Sequence, residues 1–441
     1  MARGADPAEP RHVLIVCYDF PDIGNSGVIR TYQLAKQLPS FGWQPVILTA
    51  EPCSSGREDD IEASDGRLEC PRVTVAPPRF LVPFRPAPRA PLPPGDDRTL
   101  RANGISSRLG RLASQFAVPD GKLAWWPAAV RRGLRIGREH RVRICFSVSP
   151  RPTSHFVARR IARSLGIPWV ADFALPWSDA DWLGGRPRAL RWLDERLERS
   201  TVRAAQHITV AYDEIARGLC ARQGPGWRTG VSVVPTGFAD ELIPRGRASL
   251  PAKFTVVHPG SHFSQAGRYG ECFLRAMDQW IDEEPALAGQ VECVVIGKRD
   301  ADLELQRASM AHPEVIRLEP LVSHRACMQA IRASHAGLVN TIGNRIPAKV
   351  YEFMGAGKPI LALTEPGSDL ERLMRGYAGG IAVPARDTPA IRDALQRLRR
   401  TRDSAAPERP ETDVPLERYS SRHSALTVAR IFDDLSPAPS D

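Results

Sequence analysis

No stretch of about 18 apolar residues occurs in this chain of 441, so no membrane-spanning helix is expected. Met1 to Pro10 holds no apolar core and does not read as a secretory signal. The eight cysteines are scattered, with no CxxC pair and no Cys/His cluster at zinc spacing. Cys17, Cys145 and Cys293 lie inside apolar runs and read as small core residues, which fits a reducing, cytoplasmic setting. There is no GxGxxG and no acid about 20 residues beyond the first glycine-bearing loop, which argues against a dinucleotide cofactor. Nucleic-acid binding lacks support, since no helix-turn-helix, RNP-like or zinc-finger pattern is present. No DxD motif stands out at a strand end of the first half; Asp59-Asp60 and Asp96-Asp97 read as loop acids. Lysine is scarce, at six among 60 basic residues.

The length suffices for two or three domains with ample core, and 42% apolar content is ordinary for a globular chain. The net charge of +10 would draw anionic headgroups or phosphates. Acids interleave with the arginines, however, and the segment from Arg191 to Arg203 reads as a solvated helix face.

Strands and helices alternate along the sequence. Apolar runs at 13–17, 45–49, 142–147, 168–172, 208–210 and 231–234 read as strands of a first unit. Helices are expected at 27–38, 153–165 and 186–205. Residues 76–108 form a Pro/Arg-rich excursion, because proline at that density sustains neither ladder nor helix. A second unit opens near Lys253, with strands at 255–258, 291–296, 315–318, 336–338, 360–363 and 381–383. Its expected helices span 271–283, 325–334, 350–354 and 389–399. The reading is α/β: two Rossmann-like, doubly wound domains at 11–240 and 251–400, then a linker and helix at 401–441.

The most informative stretch runs from Ile346 to Leu363. Glu352 sits on a short helix that ends in the small-residue turn Gly355-Ala356-Gly357, and Lys358-Pro359 leads into a buried strand. A carboxylate there can accept both ribose hydroxyls, and a small turn admits a nucleotide close to the backbone. The plain alternative is an ordinary helix-turn-strand. Lys349 falls on the same helix face as Glu352, as a phosphate or sugar contact or simply an i,i+3 ion pair. This segment resembles the nucleotide-sugar site of glycosyltransferase family 4, retaining enzymes of the GT-B fold.

The resemblance extends over roughly residues 11–435. The loop and helix start from Tyr18 to Thr31 look like the family's glycine-containing loop over donor and acceptor, with Gly27 opening the helix. Ser147 to His155 and Gly166 to Trp177 look like one branch of the family. There His155 could orient the acceptor or bond its own backbone, and Asp172, at a strand's carboxyl end, could face the acceptor or cap the next turn. That branch carries an Arg-Asp pair where Ala174 and Leu175 stand here. Val233 to Phe238 is similar to the interdomain hinge, with Thr236 for the usual Asn and Gly237 as a hinge point. Gly260 and Arg268 match the diphosphate-binding glycine and base, with Lys298 as a rival cation. Leu321 and Val322 fall where the family's loop packs on the base, and Asn344 replaces a second acid.

What the resemblance implies is a hexosyltransferase-like enzyme of GT-B fold, its two domains facing across a cleft and its last helix crossing back onto the first. It would move a sugar, with retention, from a UDP- or GDP-sugar to a glycan, lipid-linked or small-molecule acceptor in polysaccharide or glycoconjugate synthesis. The nucleotide sugar is a co-substrate; no cofactor and no metal is expected, because cations and helix dipoles can hold the leaving diphosphate. The catalytic candidates are His155, Asp172, Arg268 and Lys349. The donor-binding candidates are Gly27, Gly260, Arg268, Leu321, Val322, Lys349, Glu352, Gly355 and Ala356. A catalytically weak nucleotide-sugar-binding or scaffold protein, and a nucleotide-sugar epimerase, are the alternatives. Peripheral contact with the anionic inner face of the plasma membrane, through the loop at residues 80–89, is a further expectation.

Overall fold

A computed structural model of the chain describes residues 10–20, 26–50, 66–76, 116–180, 185–224, 227, 229–243, 249–260, 263, 269–297, 301–341, 343, 345–403 and 415–437. It divides into two compact units, Met1–Thr236 with Ser421–Asp441, and Gly237–Ser420. The Pro/Arg-rich stretch from residue 77 to 108, with its segment at 80–89, lies outside the described residues.

In the first unit the continuous apolar runs become strands of a parallel sheet covered on both faces, where period-two alternation is not required. These are β1 (Arg11–Val16), β2 (Trp43–Ala50), β3 (Arg72–Val75), β4 (Ile144–Val148), β5 (Trp169–Phe173), β6 (His207–Val210) and β7 (Gly230–Val233). Their order is β3-β2-β1-β4-β5-β6-β7, and Val13 of β1 stands between Pro45 of β2 and Ile144 of β4. The helices are α1 (Ser26–Gln37), α2 (Trp126–Glu139), α3 (Pro152–Leu165), α4 (Arg188–Ala204) and α5 (Asp213–Gln223). The chain winds from β1 to β3 one way and from β4 to β7 the other. Right-handed crossovers therefore put α1 on one face and α2, α3, α4 and α5 side by side on the other. Asp120 starts α3, accepting from the Thr153 backbone N–H at 3.0 Å. The strand β3 and the helices α2 and α5 go beyond the elements expected from sequence.

The second unit repeats the plan with β8 (Phe254–Pro259), β9 (Val291–Ile296), β10 (Ile316–Glu319), β11 (Ala336–Asn340), β12 (Ile360–Thr364) and β13 (Gly380–Pro384). Its order is β10-β9-β8-β11-β12-β13, again parallel throughout. Its helices are α6 (Tyr269–Glu283), α7 (Ala301–Ala308), α8 (His324–Ala333), α9 (Ala348–Gly355), α10 (Asp369–Arg375) and α11 (Thr388–Asp403). Trp280, Ile281 and Leu395 fill one face of this sheet, and Met328, Ile331, Phe353 and Leu370 the other.

The last helix, α12 (Ser421–Leu435), returns to the first unit and packs along α1. Phe432 is wholly buried, edge-on to Trp43 at 5.2 Å and to Phe146 at 5.6 Å between ring centroids. Asp433 accepts from Arg11 at 2.6 Å and from the Trp43 indole at 3.0 Å. Ser424 donates to the Pro235 carbonyl at 2.8 Å, fastening the chain just before the units part. None of the described helices is long and apolar enough to cross a membrane.

Truncating Phe432 to Ala should cost about 3–5 kcal/mol of stability, from lost transfer energy plus a cavity between the two rings. Denaturant unfolding checks this; a loss under about 1 kcal/mol would mean that α12 contributes little to the first unit's core.

Candidate functional site

In a doubly wound sheet the helices part where strand order reverses, leaving a crevice at the strands' carboxyl ends. In the first unit that point lies between β1 and β4. A small cleft opens there, lined by Tyr18, Asp19, Gly27, Thr31, Ser149 and Arg151 among others. Gly27 is thus in the crevice, as expected, while residues 21–25 of its loop lie outside the described residues. Arg151 donates to Asp19 at 2.8 Å, so the wall carries a cation already paired with an acid.

His155 and Asp172 lie beneath this crevice rather than in its lining. Both are fully buried. Asp172 accepts a bidentate pair from Arg30, at 2.7 and 2.9 Å, and a hydroxyl from Thr209 at 2.6 Å. Arg30 in turn donates to the Val234 carbonyl at 2.6 Å. With three hydrogen bonds and no exposed surface, the carboxylate is an internal tie between α1, β5 and β6 rather than a group offered to an acceptor. His155 Nδ1 is 2.8 Å from the Ser147 hydroxyl, and its ring packs 4.8 Å from that of Phe173. Burial lowers its pKa to about 4 against the opposing pull of Asp172, so the ring is neutral near pH 7. Sequence reading missed Arg30, a lone cation on an otherwise apolar helix face. Ala174 is buried, and the Leu175 backbone N–H donates to the Ser149 hydroxyl at 3.3 Å.

The second unit gathers its polar groups at the same edge. The reversal lies between β8 and β11, and the amino ends of α8 and α9 rise from it. Glu352, one turn into α9, is 4% exposed. Lys349 donates to both its oxygens, at 2.9 and 3.2 Å, and the His324 Nε2 lies 3.0 Å from one of them. Burial alone would raise this carboxyl, but Lys349 and then His324 outweigh it and hold Glu352 at about 2. Burial works against the Lys349 ammonium too, yet Cys327 and Glu352 push its pKa above the usual lysine range. Burial likewise raises the Cys327 thiol. The result is a carboxylate held charged and fixed in place by three hydrogen bonds.

His324 is the partner that sequence reading missed. It follows Ser323, whose hydroxyl caps α8 by accepting from the Ala326 N–H at 3.3 Å; that N-cap was the available signal. Gly260 follows β8 directly, its N–H bonded to the Ile296 carbonyl at 2.8 Å. Leu321, 38% exposed, and the half-buried Val322 precede α8 at this edge. Arg268, Lys298 and Asn344 lie outside the described residues.

The small turn has a packing role. A Cβ at Gly355 would sit 2.6 Å from both Phe238 and Ile243, so the glycine makes room for these side chains. Gly357, at φ +65°, ends the helix in the left-handed region. Gly355 and Ala356 close the far end of α9, roughly 10 Å beyond its first residue at 1.5 Å per residue, which sets them apart from the polar edge. Among the described residues no group of three His, Cys, Asp or Glu is placed to hold a metal ion. Asp179 and Asp181 do have DxD spacing; Asp179 is paired with Arg222, and residue 181 lies outside the described residues.

Two family profiles match. One, described as Glycosyl transferase 4-like domain, covers residues 27–237; the other, Glycosyl transferases group 1, covers residues 254–401. The chain belongs to the group 1 glycosyltransferases. No curated protein matches it. Among solved structures, sucrose-phosphate synthase from Thermosynechococcus elongatus superposes with a TM-score of 0.67 at 15% identity, over 96% of this chain and 99% of that one. HepE from Anabaena in complex with UDP-glucose gives 0.61 at 12%, over 96% and 100%. A putative UDP-N-acetylglucosamine 2-epimerase from Listeria monocytogenes gives 0.55 at 10%, over 97% of each chain. These likenesses fix the GT-B fold, which transferases and an epimerase share, so the glycosyltransferase assignment rests on the family profiles.

Each unit of this glycosyltransferase should respond to acid in its own pH window. His155 has a folded pKa near 4 against an ordinary 6.5, so the unfolded chain takes the proton first and stability is lost as pH falls from about 6.5 to about 4. Glu352 sits near 2 against 4.5; its contribution is present above about 4.5 and is lost as pH falls toward 2. Each is worth roughly 3 kcal/mol. Amide exchange measured against pH should show the first unit loosening before the second; the reverse order would contradict these placements.

Proposed function

We propose that the protein transfers a sugar, with retention, from a nucleoside-diphosphate sugar, a UDP- or GDP-sugar, with uracil as the first base to test. The observation that carries this reading is Glu352, held charged by Lys349 and His324 at the carboxyl edge of the second sheet. A ribose presents two adjacent hydroxyls, and a fixed buried carboxylate can accept both. His324 and Lys349 position that carboxylate and keep it from taking a proton. Lys349 is a quarter exposed, and with Arg268 and the first N–H groups of α8 and α9 it would meet the charge that develops on the leaving diphosphate. Gly260, Leu321 and Val322 are assigned to the diphosphate and base. Two solved neighbours of the same fold are described in complex with UDP-glucose and with UDP-2-fluoro glucose, which supports this donor class.

The first unit's cleft takes the acceptor in this reading, with Gly27, Ser149 and Arg151 facing it. The acceptor is a glycan, a lipid-linked sugar or a small molecule in polysaccharide or glycoconjugate synthesis. His155 and Asp172 are assigned to framework roles beneath that cleft. The work is assigned to the cytoplasm, with peripheral contact at the inner face of the plasma membrane, and to a chemistry that needs no metal. A nucleotide-sugar-binding protein with little turnover is the second reading, favoured by Ala174 and Leu175 standing where the related branch carries an Arg-Asp pair.

Glu352→Gln should weaken UDP-sugar binding at least about tenfold, since a hydrogen bond to a charged group is worth roughly 1.5–3 kcal/mol. Calorimetric titration of wild type and variant checks this, with thermal unfolding to confirm the fold. Unchanged affinity would remove Glu352 from the site. The anomeric configuration of the product, read by NMR, tests retention.

A further inference from the structure

We infer that α3 and α4 of the first unit form a docking face for an anionic lipid bilayer. This deepens the membrane contact proposed above by giving it a place, and it does not depend on which donor is bound.

In sequence, acids interleave with the arginines of α4, but in the fold two of its three acids turn away from them. Asp194 and Glu198 point inward and are fully buried. Asp194 accepts from the Trp177 indole at 3.1 Å and pairs with Arg186; Glu198 accepts from the Ser178 N–H at 2.9 Å and from Arg222 at 2.7 Å. These two acids of α4 are thus consumed by groups from outside the helix. Its outward stripe keeps Arg188, Arg191, Arg196, Arg199 and Arg203, with Glu195 as its one exposed acid. On the neighbouring α3, Arg160 and Arg163 are exposed as well. Arg160, Arg163, Arg188, Arg191 and Arg199 have no acidic partner among the described residues. Beyond Glu195, exposed acids among the described residues lie toward the borders: Glu139 of α2, paired with Arg135, Asp179, paired with Arg222, and Asp213 and Glu214 of α5.

An exposed aromatic completes the face. Trp192 is 60% exposed in the middle of this stripe, with the Arg196 guanidinium 5.5 Å from its ring centroid. A tryptophan among unpaired arginines on an otherwise anchored helix suits the headgroup level of a bilayer, where an amphipathic ring and cations each find a partner. An acidic protein would satisfy the charges without requiring a large bare apolar ring. Double-stranded DNA would likewise meet the charges without covering the ring, and vesicle and DNA binding are separated by the test below.

The test is co-sedimentation of the full chain with phosphatidylcholine vesicles, with and without phosphatidylglycerol. The protein should sediment only with the anionic vesicles and be released at roughly 0.5 M salt, where the Debye length falls to a few ångström. Arg191→Glu with Arg199→Glu should weaken binding at least about 25-fold, at roughly fivefold for each basic residue near the surface. Trp192→Ala should weaken it several-fold. A matched pair on α11 in the second unit, Arg397→Glu with Arg400→Glu, should leave it unchanged. Equal sedimentation with both vesicle types, equal loss from both charge pairs, or tight DNA binding without vesicle binding would each overturn the proposal. UDP-sugar affinity measured on the same variants should match wild type; absence of such binding throughout would count against the donor reading and leave the vesicle result standing.

Discussion

In each unit the first strand lies inside a parallel sheet, and the chain winds outward from it first one way and then the other. Helices cannot cover the carboxyl edge at the point of reversal, because their amino ends splay to opposite faces there. That constraint creates two crevices, one past β1 and β4, the other past β8 and β11. It also aims the first turns of α1, α8 and α9 at them, with their unsatisfied N–H groups. Gly27, His324, Lys349 and Glu352 come from distant parts of the sequence and reach these edges by topology alone.

The two units treat buried charge differently. In the first, Asp172 takes three hydrogen bonds from Arg30 and Thr209 and is wholly enclosed. In the second, Glu352 also takes three, from Lys349 and His324, at the carboxyl edge of its sheet. Removing one member of a buried pair strands the other at a cost of about 3–5 kcal/mol, so both arrangements resist change. Only the second reaches solvent, through Lys349, which is a quarter exposed.

Much of this architecture was legible because continuous apolar runs mark buried parallel strands, as the run 291–296 became β9 without change. The helix with Glu352 and the Lys349 pairing followed from spacing of three residues. The direction of side chains was less legible. Asp172, at a strand end, looked available, but Arg30 lies 142 residues away in sequence and nothing local announces the pairing. Gly355 looked like a site for a nucleotide and instead admits Phe238, a contact set by tertiary packing. The acids of α4 looked interleaved with arginines, whereas helical rotation sends Asp194 and Glu198 inward and leaves the cations outside. Sequence spacing shows which residues share a helix face; what that face meets depends on partners far along the chain.

The central claim is that the carboxyl edge of the second sheet binds the nucleotide sugar through Glu352. Hydrogen exchange with and without UDP-glucose tests it most directly, because protection reports where the ligand stabilises the chain. The account predicts slowed exchange at Gly260, at Leu321 to His324 and in the first turn of α9. Protection confined to the first unit's cleft around Tyr18 and Gly27, with no change in α8 or α9, would contradict it.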